Sequence, residues 1–226
     1  LSRMPRLNKF GIFELGMNKP GEIQSLSKLV SPDVIIITKI AGVHTEFFSS
    51  VDQIASAKAE IFDGLVSGGV AIIPSDTKYF DMLISLAREK GISKIISFGE
   101  SLKSNARLLS YSISRNRTNI EACIDGENLS YSISMVGKHL AINSLAVLAG
   151  VKAIGEDIKD ASKEMINAKS SPGRGMRVLF YSEGINFTLI DETYNASPIS
   201  VNALIKSISE ENVYSRNILV LGDMLE

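Results

Sequence analysis

Short apolar runs bounded by turn residues alternate with stretches of helical period through the first hundred residues of the chain. This is the pattern of βαβ units that stack into a parallel sheet. The runs predict strands near residues 10–15, 33–38, 69–74 and 94–98. Between them, Pro20 and Gly21 open a helix to about Val30, Ser50 and Asp52 can cap a long helix to about Val66, and a third helix is expected from about Asp76 to Lys90. From Ala106 to Met135 the period changes to two, with Asp125-Gly126 as turn chemistry, so an antiparallel hairpin or small sheet with one wet face is expected. Helical spacing returns from Lys138 to Ala149 and from Ile158 to Ala168. The stretch 170–175, Ser-Ser-Pro-Gly-Arg-Gly, reads as a linker and sets a domain boundary between 1–170 and 171–226. Beyond it, strands are expected at 177–181, 187–191 and 217–221 and a helix at 200–209. The fold class is α/β, a doubly wound, mostly parallel sheet with a small antiparallel sheet, followed by the opening of a second α/β unit.

Composition narrows this picture only a little. With 226 residues and 45% hydrophobic side chains, the chain can bury one large domain, or one domain and part of another. The net charge of −1, with acids and bases intermixed, argues against a nucleic-acid surface. A lone cysteine, Cys123, fits a reducing compartment, and apolar runs such as Val34-Ile35-Ile36-Ile37 fall far short of the ~20 residues of a membrane helix. A cytoplasmic monomer with no membrane insertion is the expectation. The start at Leu1 and the strand-like end at 217–221 read as cuts in a longer protein.

In an open parallel sheet, ligands bind beyond the carboxyl ends of the strands. Glu14 and His44 both follow predicted strands and so converge on that edge. A carboxylate is a hard ligand suited to Mg²⁺, and a neutral imidazole beside it can complete a metal shell or orient phosphate oxygens. Taken alone, Glu14 reads first as a solvated loop acid and His44 as a structural histidine; it is their combination with matching flanks that points to a site. Lys58, on the helix with Ile54, Ala55, Ile61 and Phe62, reads alone as a surface lysine pairing within its helix. Asn195 heads Asn-Ala-Ser-Pro, a turn and helix cap in its own right; its match to a glycosylation signal is set aside because proline follows. Gly137-Lys138 is no phosphate loop, since Ser132 stands where the first glycine belongs and His139 where Ser or Thr belongs.

Together, Phe13-Glu14-Leu15-Gly16, the segment 38–48 around His44, the segment 54–62 around Lys58, Lys138 to Ala146, and Pro172-Gly173-Arg174 with 189–198 resemble the nucleotide-dependent Mur ligases. The resemblance runs in order through nearly the whole chain, and is strongest to the member that adds D-alanyl-D-alanine to UDP-N-acetylmuramoyl-tripeptide. It implies a Mur ligase central domain over 1–170 and the start of a Rossmann-like C-terminal domain over 171–226. It implies ATP and Mg²⁺ as cofactors, with Glu14, His44 and a carbamylated Lys58 at the metal, and Lys58 and His44 as catalytic groups. Asn143 would read the adenine edge, since a carboxamide both donates and accepts. Arg174 would reach the phosphates, and Asp191, Tyr194 and Asn195 would help hold the nucleotide.

Lys39, Leu140 and Glu192 depart from the residues usual in the family. Gly-x-x-x-x-Gly-Lys-Ser/Thr occurs nowhere in the chain, although such ligases need that loop to cradle phosphates. The expectation is that this piece alone lacks ligase activity. A non-catalytic nucleotide-binding remnant and a folylpolyglutamate synthase-like ligase are the other readings.

Overall fold

The computed structural model describes residues 4–5, 7–41, 48–114, 116–182, 184–194, 197–211 and 215–223. A six-stranded sheet runs in sequence order: β1 (Val34–Ile36), β2 (Val70–Pro74), β3 (Lys94–Gly99), β4 (Ala106–Ser114), β5 (Arg117–Ile124) and β6 (Glu127–Ile133). The first four pair in parallel and the last three pair antiparallel. The expected antiparallel piece is therefore an extension of the parallel sheet. Only Ala106 and Arg107 of β4 pair with β3, opposite its last two residues. The remaining seven residues of β4 run on past the carboxyl edge, about 23 Å at ~3.3 Å per residue. With β5 and β6 they stand as a wall beside that edge.

Side chains of β2 alternate between two cores, because successive residues of a strand point to opposite faces. Val70 and Ile72 pack with Phe98, Ile120, Leu145 and Leu148 under α4 (Lys138–Ala153) and α5 (Ile158–Glu164). Ala71 and Ile73 pack with Ile35, Phe62, Leu83 and Ala87 under α3 (Phe80–Glu89) and the 3-10 turn Glu60–Gly64 that continues α2 (Val51–Ala59). Helices thus cover both faces. The long α4 shows little amphipathic pattern because its small residues Ala141, Ser144, Ala146 and Ala149 let it sink against the sheet, all buried.

A third cluster joins Met17, before α1 (Glu22–Val30), and Ile23 of that helix to Phe48, Ile54 and Ala57. Ser50 caps α2, its hydroxyl accepting the Gln53 N–H at 3.3 Å. No helix among the described residues is long and apolar enough to cross a membrane.

Two expected strands do not form. Residues 10–15 pair with nothing, and Ile12 is 99% exposed, because a strand exists through its ladder and no described strand borders this segment. The segment 217–221 likewise lies unpaired, with Val220 89% exposed. Past the linker, β7 (Met176–Ser182) and β8 (Ile185–Asp191) form a separate antiparallel hairpin rather than members of the large sheet, followed by α6 (Pro198–Glu211).

Candidate functional site

The carboxyl edge of the parallel strands carries a dense polar set. After β2, the Asp76 carboxylate accepts the backbone N–H groups of Glu100 at 2.6 Å and Ser101 at 3.2 Å, stitching the ends of β2 and β3 together. Gly99, at φ 150°, permits this: a Cβ there would stand 2.3 Å from Asp76 Oδ2. Glu100 pairs with Lys138 at 2.8 Å, which brings the N-terminus of α4 to the same edge. Desolvation, reinforced by the charge of Lys39 just past β1, holds the His139 imidazole below its ordinary range, although part of the residue stays exposed. One turn along, Asn143 is exposed and presents its carboxamide to solvent.

Glu14 does not end a strand; it lies on an exposed, irregular segment. That segment is anchored three residues later by buried Met17, which packs with Ile54 and Ala57 of α2. A second tie comes from Glu60, whose carboxylate accepts the N–H of Gly21 at 2.7 Å and of Gln24 at 3.2 Å. Glu60 thereby caps the start of α1, where a helix favours negative charge, and fixes the Glu14 segment against the helix that carries Lys58.

Lys58 is half-buried, and burial holds its ammonium below the ordinary lysine range. Among the described residues it has no ion-pair or hydrogen-bond partner. The expected pairing along its helix is absent. His44 and Asn195 lie outside the described residues. Among the described residues, no three His, Cys, Asp or Glu side chains gather as a metal cluster.

Across the linker, the structure brings together Arg174, Asp191 and Tyr194. Gly175 N–H bonds to Asp191 O at 2.8 Å and Tyr194 N–H to Gly173 O at 3.1 Å, so the two segments flanking the hairpin close on each other. Arg174 lies over the Tyr194 ring at 4.6 Å, a cation–π contact that orients an otherwise exposed guanidinium. The Asp191 carboxylate accepts Thr193 Oγ at 2.7 Å and Thr193 N at 3.1 Å, and these bonds hold it below the usual carboxylate range. Desolvation raises the neighbouring Glu192, with Arg174 opposing.

Sequence reasoning missed Glu60, Asp76, Glu100 and Lys138. Glu60 was legible only as a helical acid, since its role depends on backbone donors 36 and 39 residues earlier. Asp76 follows a strand as Glu14 was expected to, and that position was the available signal.

A mostly parallel sheet with an antiparallel extension, and polar side chains gathered at its carboxyl edge, is the layout of an α/β ligand-binding domain. The family's model, Mur ligase middle domain, matches residues 1–151, and the chain belongs to the Mur ligase family. Along its whole length it is 31% identical to the UDP-N-acetylmuramoyl-tripeptide--D-alanyl-D-alanine ligase of Rickettsia prowazekii, covering 49% of that protein. The crystal structure of MurF from Acinetobacter baumannii matches 87% of this chain and 42% of its own, with TM-score 0.78 and 28% identity. MurF from Thermotoga maritima, solved in complex with ADP, shares the fold at TM-score 0.70 and 24% identity over 84% of this chain and 42% of its own. The chain spans about half the length of the curated relatives it matches.

Proposed function

We propose that this chain is the central part of a ligase that joins D-alanyl-D-alanine to UDP-N-acetylmuramoyl-tripeptide with ATP, through an acyl phosphate. The observation that carries this reading is the match, along the whole of this chain and 49% of the relative, to the Rickettsia prowazekii ligase of that name. Amide formation from a carboxylate needs an activated acid, which is the chemistry that ATP supplies when bound.

Mg²⁺ takes hard oxygen ligands. Glu14 offers an exposed carboxylate. Lys58 offers oxygens only as a carbamate, which forms from the neutral amine, and its desolvated, unpartnered state favours that form. The donor chemistry of Glu14 and a carbamylated Lys58 suits the ion; His44, the third group expected, lies outside the described residues. Glu14 and carbamylated Lys58 would hold the ion against the phosphates. Asn143, exposed on α4, pairs with the adenine edge, and Arg174 supplies charge-assisted donors to phosphate oxygens. Tyr194 orients that arginine, and Asp191, Tyr194 and Asn195 would help hold the nucleotide.

The decisive assay is phosphate release by the intact protein that contains this chain. It is expected to require ATP, the UDP-muramoyl tripeptide and D-alanyl-D-alanine together. Release with a folate acceptor and glutamate instead would overturn the assignment. For Lys58, ¹³C NMR of protein equilibrated with ¹³C-bicarbonate should show a carbamate carbonyl that is absent from Lys58→Met. The isolated 226-residue chain is expected to show no turnover, because it carries no phosphate loop.

A further inference from the structure

Glu60 stands two residues past Lys58, where α2 gives way to the 3-10 turn Glu60–Gly64, and its half-buried carboxylate reaches a segment far upstream. One oxygen, Oε1, accepts the N–H of Gly21 at 2.7 Å, and the other, Oε2, accepts that of Gln24 at 3.2 Å. Gly21 is the residue through which the segment bearing Glu14 enters α1, and its φ of 88° is the left-handed conformation that favours glycine. The Glu22 carboxylate reaches back across it to accept the N–H groups of Asn18 at 2.7 Å and Lys19 at 3.1 Å, which closes the turn 18–22. Met17 is buried, so only Leu15 and Gly16 separate Glu14 from this held stretch.

Two further bonds tie α1 to the same 3-10 turn. Ser27 Oγ donates to Ile61 O at 2.6 Å, and Gln24 Nε2 donates to Asp63 Oδ2 at 2.8 Å. Both act from within the helix, downstream of Gly21. Met17 holds the upstream segment by apolar packing, which is non-directional. Glu60 supplies directional bonds at the turn itself. A carboxylate has an acceptor oxygen for each of the two N–H groups, whereas a carboxamide has one oxygen for both.

We propose that Glu60 is a positioning residue for the divalent cation: by fixing the Gly21 turn to the helix of Lys58, it sets the spacing at which Glu14 and Lys58 reach one ion. The inference rests on the metal role proposed for those two residues. Outer partners that orient metal ligands contribute about ten- to hundredfold in metal affinity, and Glu60 acts in that way through the backbone.

The test is Mn²⁺ binding by the intact protein equilibrated with bicarbonate, followed through the electron paramagnetic resonance signal of the unbound ion. Glu60→Gln keeps the size of the side chain and leaves one acceptor for two N–H groups, and Glu60→Ala removes both acceptors. Asp63→Ala, which removes the Gln24 bond and the Lys90 ion pair at 2.5 Å from the same 3-10 turn, is the control for stability alone. A Mn²⁺ Kd weakened about tenfold in both Glu60 variants, with that of Asp63→Ala within about twofold of the parent's, supports the inference. The parental Kd in both Glu60 variants overturns it, and so does equal weakening in Asp63→Ala, which would make Glu60 a tie of the fold only. If Glu60→Ala does not fold, Glu60→Gln decides alone by the same criterion. Phosphate release by the same proteins separates this inference from the ligase reading. A parent without ligase turnover whose Mn²⁺ affinity still depends on Glu60 overturns the ligase reading alone, whereas a parent with turnover and a Mn²⁺ affinity indifferent to Glu60 overturns the positioning role alone.

Discussion

The Tyr131–Ser144 pair joins β6 to α4 and gives a sharp quantitative expectation. Both residues are buried, and their oxygens lie 2.6 Å apart. Ser144 Oγ donates to Ala141 O at 2.7 Å, so the shared proton comes from the tyrosine. The two single deletions are therefore unequal. Tyr131→Phe removes a donor and leaves a hydroxyl oxygen that still serves its own bond, a loss of about 1 kcal/mol. Ser144→Ala strands a buried phenol donor, which costs about 2 kcal/mol, and adding Tyr131→Phe to it should recover about 1 kcal/mol because the stranded group disappears. Desolvation also pushes the Tyr131 phenol from 10 up to about 12. Below pH 10 both folded and unfolded chains keep this proton; above it the unfolded chain releases it first, so stability falls as pH rises toward 12. At pH 11 the loss is about 1.4 kcal/mol, and Tyr131→Phe lacks it. Urea unfolding followed by circular dichroism at pH 8 and pH 11 measures all four chains. Equal costs for the two single variants, or the same alkaline loss in Tyr131→Phe as in the parent, would refute the reasoning.

Gly64→Ala places a Cβ 2.2 Å from the backbone of Ser27, which cannot give way, so about 3 kcal/mol should be lost by urea titration, while Gly16→Ala, with open space around it, stays within ~0.5 kcal/mol. Arg177→Met leaves the 1%-exposed Glu211 side chain without its cation and should cost about 3–5 kcal/mol; adding Glu211→Leu should restore most of it in the same thermal melt. Burial lowers the Lys58 pKa below 10.5, so the folded chain sheds that proton before the unfolded one, and the parent should gain stability relative to Lys58→Met as pH climbs from the folded value toward 10.5. A flat difference between these two chains across alkaline pH would show that Lys58 is fully solvated.

What the sequence made legible follows from how far each signal reaches along the chain. The βαβ alternation, the Ser50 cap and the Asp125-Gly126 turn are local, and each reappears within a few residues of its expected place. The strand at 10–15 was read from apolar spacing alone, and spacing cannot say whether a neighbouring strand exists to complete the ladder; Ile12 stands open because none borders it among the described residues. Lys58 was placed on the correct helix, yet local reading gave it a pairing partner, whereas burial arises from packing that no helical wheel reports. The same limit hid Glu60, which caps a helix 36 residues upstream, and the Asn116–Arg177–Glu211 cluster, which gathers three segments spread over 95 residues. Resemblance filled part of that gap for Arg174, Asp191 and Tyr194, which converge around Gly173 as one group. It had nothing to offer for Asn116 or Ser207. Those residues carry their meaning only through contacts with segments far away in sequence, Asn116 with Arg177 and Ser207 with Gly137, and no local pattern reports a contact of that reach.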